Sequence, residues 1–295
     1  MDVLELADLV KRRSIIAIAG DDLLMNILVF KGGNALAYIH GITARASFDL
    51  DFSMADEFED IEILRSAIKR SLHASFEEVS LVPFDVVVEA VPAVISEGNK
   101  KFWGGYSIEF KLIGVVEFDK FRDDPQQLQN RSLSIGPNGR SKRFQIDISR
   151  HEYCGDRQLV VFEDYRLYVY SPATIVCEKL RAICQQLPEY HAIVNRHRDV
   201  PKGRAGDFLD ICSILDKFPI KVNSVEFRQL LNRVFAAKRV PLRFLRQIPG
   251  TYSTQVSDFE RVRATVSSTE NLQSFEFYFL RVLELCSQLE PLGDE

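Results

Sequence analysis

Asp49 and Asp51 stand two residues apart inside Phe48-Asp49-Leu50-Asp51-Phe52, a stretch that alternates strictly between apolar and acidic residues. Alternation of this kind is the period of a β-strand, in which residues i and i+2 share a face. The two carboxylates therefore project together, while Phe48, Leu50 and Phe52 turn to the opposite side for burial. Parallel carboxylates repel one another and persist most readily where a divalent cation neutralises them. Hard oxygen donors suit magnesium or manganese. A lone Asp-x-Asp fits an ordinary solvated strand face equally well, so it needs company before it points to chemistry.

Two further features supply that company. Gly32-Gly33 precedes the acidic strand in Phe30-Lys31-Gly32-Gly33-Asn34-Ala35-Leu36, where the glycines end one element and Asn34 caps a helix that Gly41 terminates. Unhindered backbone N–H groups at such a turn can hold a phosphate, or the pair can be a plain turn. Asp147 is a lone acid in Phe144-Gln145-Ile146-Asp147-Ile148, a second apolar strand. A third carboxylate from a neighbouring strand completes what metal-assisted phosphoryl transfer needs, although a strand-edge acid is the plainer alternative.

The elements that must position these residues divide the chain in two. Helical spacing over residues 1–28, a helix at 60–74 and β-type runs at 48–52, 84–91, 106–118, 143–149 and 158–170 make residues 1–170 a mixed α and β lobe. Ser171-Pro172 then reads as an N-cap followed by proline at the first helical position, opening a helix to about Leu187. From there to residue 295 the pattern is mainly helical, with a long loop predicted from Pro188 to Gly206. The predicted class is α+β: a mixed sheet with helices, followed by a helical lobe over 171–295.

Composition narrows the class further. At 295 residues, 46% hydrophobic and 27% charged, the chain has the profile of an ordinary folded protein. No apolar run approaches the ~20 residues that span a bilayer, and the amphipathic, acidic start lacks the form of a secretory leader, so a cytoplasmic protein without membrane attachment is expected. Five cysteines without a CxxC pair predict reduced core thiols, and five histidines without HxxxH or HExxH spacing predict no zinc site. The net charge is −5, yet residues 196–246 hold twelve Lys or Arg against five acids. That local surplus is the kind of face that holds a phosphodiester backbone, or else charge spread around a solvated helical lobe.

The order of glycine pair, Asp-x-Asp and later single Asp resembles the nucleotidyltransferase superfamily with the polymerase-beta-like fold. More closely, Phe30 to Leu36 together with Arg45-Ala46-Ser47-Phe48-Asp49-Leu50-Asp51-Phe52 resembles the AbiEii toxin family, the nucleotidyltransferase halves of AbiE-type toxin–antitoxin systems. Ile146-Asp147-Ile148-Ser149-Arg150-His151-Glu152, Glu178-Lys179-Leu180-Arg181-Ala182-Ile183 and Gly206-Asp207-Phe208-Leu209-Asp210-Ile211 are similar to that family's later motifs, in the same order. The resemblance spans roughly residues 28–215. It departs at Asn34, where the family more often has a small hydroxyl residue, and at Gly206, where an arginine commonly precedes the acid.

What the resemblance implies is nucleotide transfer from a nucleoside triphosphate to an acceptor, RNA and specifically tRNA, with a cognate antitoxin protein restraining the toxin. It makes Asp49, Asp51 and Asp147 ligands of Mg2+ or Mn2+, places Gly32, Gly33, Asn34 and Lys179 on the nucleotide, and adds Asp207 as a further active-site acid. Read from the residues alone, Lys179 borders the apolar stripe Val176, Leu180 and Ile183, from which it can lean over a triphosphate or snorkel to water. Asp207 either caps its helix or faces the site. Transfer to a small molecule or a protein, and a binding module that has lost catalysis, are the competing functions; all three carboxylates being present disfavours the last.

Overall fold

The computed structural model describes residues 3–42, 45, 47–134, 141–195, 202–266 and 272–289. Helix α1 (Val3–Ala19) and the short α2 (Asp22–Ile27) precede strand β1 (Val29–Lys31), helix α3 (Gly32–Tyr38) and strand β2 (Leu50–Ser53). Helix α4 (Ile61–Glu77), whose first turn is capped by the Asp60 carboxylate on the Glu62 N–H, leads to strands β3 (Leu81–Val91) and β4 (Gly105–Gly114). Helices α5 (Val115–Phe121) and α6 (Pro125–Arg131) follow, then strand β5 (Phe144–Ser149) and the hairpin β6 (Arg157–Phe162) and β7 (Tyr165–Tyr170).

The seven strands form one mixed sheet in the order β3-β4-β5-β2-β1-β7-β6. The β2–β5 and β1–β7 pairs are parallel, and the others antiparallel. One face carries Phe30, Leu50, Phe52, Ile146, Ile148, Ile108 and Phe110, all buried in a core shared with Ile15, Leu64, Ile68 and Phe76 of α1 and α4. Phe30 and Phe52 touch at 5.1 Å between ring centres. Burying one such ring is worth ~1.5–3 kcal/mol. Strand alternation then forces Lys31, Asp51, Asp147 and Ser107 to the other face, which the helical layer covers.

That layer consists of α7 (Pro172–Cys184), α8 (Pro188–Ile193), α9 (Ala205–Lys217), α10 (Val225–Ala237), a 3-10 segment (Leu242–Thr251), α11 (Tyr252–Arg263) and α12 (Phe275–Leu289). Ser171 caps α7 by accepting from the Thr174 N–H at 3.1 Å, with Pro172 at the first position, as the sequence predicts. A second core joins α7, α9, α10 and α12, and reaches Val29 and Tyr170 on the sheet. Residues beyond 215 supply much of it: Phe208 of α9 stacks on Phe279 at 5.4 Å and meets Phe275 at the same distance. All five cysteines are buried and none is in a disulfide.

Several elements differ from the sequence reading. The 106–118 run is a strand only to Gly114 before α5 begins, and the Pro188–Gly206 segment holds α8 rather than loop throughout, with residues 196–201 outside those described. Strand β2 starts at Leu50, not Phe48, because β1 ends opposite Asp51 where Gly32 turns the chain away at φ +73. Asp49 thus precedes the strand. Asn34 does not cap α3: the cap position is Lys31, which makes no side-chain cap bond. Asp207 likewise does not cap α9, whose cap position, Arg204, also lacks a side-chain cap bond.

Candidate active site

Strand register assembles the site. Lys31 lies opposite Asp51, Asp51 opposite Asp147, and Asp147 opposite Ser107, so one row of side chains crosses four strands on the helical side of the sheet. Asp51 and Asp147, distant in sequence, are nearest neighbours. Gly32 makes this possible locally. Its φ of +73 is a left-handed conformation that glycine adopts without strain, and a Cβ there would collide with the Asp51 carboxylate. The backbone of Gly32 therefore lies directly against the acid.

Each carboxylate sits differently. Burial first, and then Glu178 and Asp147, push the Asp51 carboxyl up to about 6, while Lys31 and Lys179 oppose the rise. Asp49 is exposed at the rim, with its pKa raised by partial desolvation and by Asp147. Its main chain is fixed, since the buried Asn34 donates its side-chain amide to the Asp49 carbonyl at 2.7 Å. The Gln145 amide donates to both oxygens of Asp147, at 2.9 and 3.0 Å, and to the Ser107 hydroxyl at 3.2 Å.

Asp147 faces a cleft of about 460 Å3. Lys31, Arg204, Arg181 and Lys238 line it as cations, Glu152 and Glu178 as acids, and Trp103, Gly104 and Tyr106 close one side. Trp103 is partly buried against the helical core and packs on Tyr190 at 5.9 Å.

Beneath the cleft lies a buried charge cluster centred on Glu152. Arg181 donates to both its oxygens, at 2.5 and 3.2 Å; Ser149 donates at 2.7 Å; Lys238 and Lys31 approach to 3.5 and 3.9 Å. Burial works against the Glu152 anion, yet these cations hold its pKa far below the ordinary carboxylate range. Lys238 is pushed the other way, down to about 8, because desolvation and the nearby Arg181 and Lys31 outweigh Glu152. Lys31 in turn pairs with Glu178 at 3.3 Å.

A second cluster joins α7 to α9. The Lys179 amine is buried and donates to Asp207 at 3.0 Å and to Asp210 at 2.6 Å. Arg45 holds Asp210 through two bonds, at 3.0 and 2.7 Å, and Arg204 meets Asp207 at 2.6 Å. Lys179 therefore does not snorkel to water: it is committed to two carboxylates. Gly206 has a purpose here. A Cβ on it would stand 3.0 Å from Arg45 Nε, so the glycine makes room for a guanidinium to arrive from another part of the chain.

The sequence reading placed none of Lys31, Arg45, Glu152, Glu178, Arg181 and Lys238 among the site residues. Five of the six lie inside the quoted motifs, and the available signal was charge where helical or strand spacing demands burial. Lys238 gave a misleading signal: it was counted in the solvated basic stretch and is 3% exposed.

A model of the nucleotidyl transferase AbiEii toxin family, of type IV toxin–antitoxin systems, matches residues 16–279. The chain belongs to the AbiEii family. This makes the protein a toxin-class nucleotidyltransferase. No curated protein matches the chain. Among solved structures, MenT4, a nucleotidyltransferase toxin from Mycobacterium tuberculosis H37Rv, is 14% identical with a TM-score of 0.51, over 98% of this chain and 84% of that one. JHP933 from Helicobacter pylori is 15% identical at 0.48, over 98% and 93%. At such identities the MenT4 likeness is one of fold.

For a divalent cation, this AbiEii chain offers Asp51 and Asp147 side by side as hard oxygen donors, with Asp49 at the rim. No group of three or more His, Cys, Asp or Glu side chains among the described residues is arranged as a finished metal cage. The three carboxylates read from the sequence as ligands, Asp49, Asp51 and Asp147, are therefore not gathered into one metal-binding group in this structure. Among the described residues no helix is long and apolar enough to cross a membrane.

Proposed function

We propose that this AbiEii-family enzyme transfers a nucleotide from a nucleoside triphosphate to an RNA acceptor, tRNA being the acceptor that the resemblance implies, in a reaction dependent on Mg2+ or Mn2+. A cognate antitoxin restrains it. The observation that carries the reading is the register pairing of Asp51 with Asp147 on parallel strands, with Asp147 lining a cleft rimmed with cations. Asp51, Asp147 and Asp49 would hold the cation. The bound cation supplies charge neutralisation of the polyphosphate.

The residues of the chain do the rest. Gly32 keeps a side chain clear of Asp51 and Gly33 makes room for Ser47, so that phosphate can approach the backbone, and Asn34 anchors the Asp49 main chain. Lys31 and Arg204 line the cleft and balance the triphosphate's charge. Lys179, with Asp207 and Asp210, locks α9 to α7 and so positions Arg204. In the transfer, an acceptor hydroxyl oxygen bonds to the α-phosphorus and the bond to the bridging oxygen breaks. Pyrophosphate leaves, and Asp147, the one of the three acids that lines the cleft, takes the hydroxyl proton. The lobes 1–170 and 171–295 are the two walls of this cleft.

Incubating the purified protein with each labelled nucleoside triphosphate, magnesium and total RNA tests the proposal. Label enters RNA with the wild type and is lost with Asp51→Asn and Asp147→Asn. Label confined to protein or to a small molecule, or persistence in both variants, overturns it.

A further inference from the structure

Behind the cleft, a second cavity of about 480 Å3 opens between the end of α7, the start of α8 and the junction of the 3-10 segment with α11. The two cavities share Gln186 as a common wall. They are joined again at Arg204: this residue lines the cleft, and its backbone N–H donates at 2.6 Å to Oε1 of Gln255, a side chain only 1% exposed that lines the second cavity. Nucleotidyl transfer brings together two groups of nucleotide size. Ligand cavities of ~300–1,000 Å3 typically take one such ligand each, so the cleft accommodates the donor and leaves the acceptor to be seated beside it.

We propose that the second cavity binds the terminal nucleoside of the acceptor RNA strand; this rests on the RNA-acceptor reading above. Its wall is chemically suited to a nucleoside. Gln247, Thr251, Thr254 and Gln255 contribute amides and hydroxyls, groups that both donate and accept, as base edges and a ribose 2′-hydroxyl require. Leu187 gives the base an apolar surface. Arg246, exposed at the mouth, suits the preceding phosphate, an interaction that positions the strand without reading its sequence. The shared Gln186 then stands where the two ligands come together.

Gly250 offers a clean test, because a Cβ added there meets nothing within 4 Å. Gly250→Trp fills the cavity without displacing the backbone, and Thr254→Phe fills it from α11; Gly250→Ala is the control. Both large variants should raise KM for RNA ~tenfold or more, leaving nucleotide affinity and melting temperature at wild-type values, while Gly250→Ala leaves all three unchanged. An unchanged KM for RNA in both large variants, in a preparation whose wild type labels RNA, overturns the acceptor cavity alone. So does an equal loss of nucleotide affinity, which assigns the cavity to the donor. Wild-type protein that labels no RNA overturns the acceptor reading and this inference with it.

Discussion

In metal-free buffer the Asp51 carboxyl, pushed up to about 6 from an ordinary 3.8, keeps its proton in the folded protein where the unfolded chain has released it. Between those values the folded state binds more protons, so stability falls as pH rises from about 4 to about 6 and stays lower above. The gap corresponds to at most ~3 kcal/mol. Asp51→Asn removes that loss. It should melt higher than wild type at pH 7–8 in EDTA, with the difference closing below pH 4 and shrinking when magnesium is added; a difference independent of pH would assign the shift to something else. Lys179 makes a contrasting case. Lys179→Ala leaves Asp207 and Asp210 buried without their shared amine, and removing one partner of a buried pair costs ~3–5 kcal/mol. A large drop in denaturation midpoint is expected, whereas a variant that melts like wild type but loses nucleotide affinity would return Lys179 to the triphosphate.

At the level of elements, the junction of β1 with α3 controls the site. Gly32 carries positive φ and lies against the Asp51 carboxylate, so Gly32→Ala strains the turn and displaces the acid together. Strain of this kind costs ~1–3 kcal/mol. Transfer activity should fall at least as far as in Asp49→Ala, and a melting curve beside a transfer assay measures both; full activity would show that the glycine pair is only a turn. Strand alternation made Leu50, Phe52, Ile146 and Ile148 legible as core and Asp51 and Asp147 as exposed to one face. It was silent on where β2 begins, because that is set by where β1 stops pairing. The positions of Asn34 and Asp207 had the same limit: Asn34 was read as a cap and Asp207 as a cap or a site acid, and each bonds to a residue from another element, Asn34 to Asp49 and Asp207 to Lys179.

Over the whole molecule, the basic surplus of residues 196–246 is not one surface. Arg196 and Arg198 lie outside the described residues, Lys238 is buried against Glu152, and Arg204 belongs to the cleft, whereas Arg239 and Arg243 are exposed. Charge reversal meant to probe RNA binding therefore belongs at the exposed pair. Arg239→Glu with Arg243→Glu should flatten the dependence of RNA affinity on salt by ~0.7–0.9 in logarithmic slope for every phosphate the protein no longer holds. Nucleotide affinity should hold. An unchanged slope at several salt concentrations would mean that this surface does not carry the acceptor.

Residue type and spacing pointed to a carboxylate site, with two acids on a strand, a third on another strand and a glycine pair ahead of them, within an α+β chain that turns helical after Ser171; the resemblance of that motif order to the AbiEii family made it a nucleotidyltransferase. Those are properties of local period and of motif order, which the chain states directly. Tertiary structure decided which charges meet. Asp51 adjoins Asp147 because β2 and β5 pair in parallel across about a hundred residues of sequence, and Arg45 reaches Asp210 because Gly206 leaves space for it. Lys179 and Lys238, which sequence placed at a triphosphate or on a solvated face, are both buried and paired. A buried charge is stable only beside its partners, and partners brought from distant segments are visible only once the chain has folded.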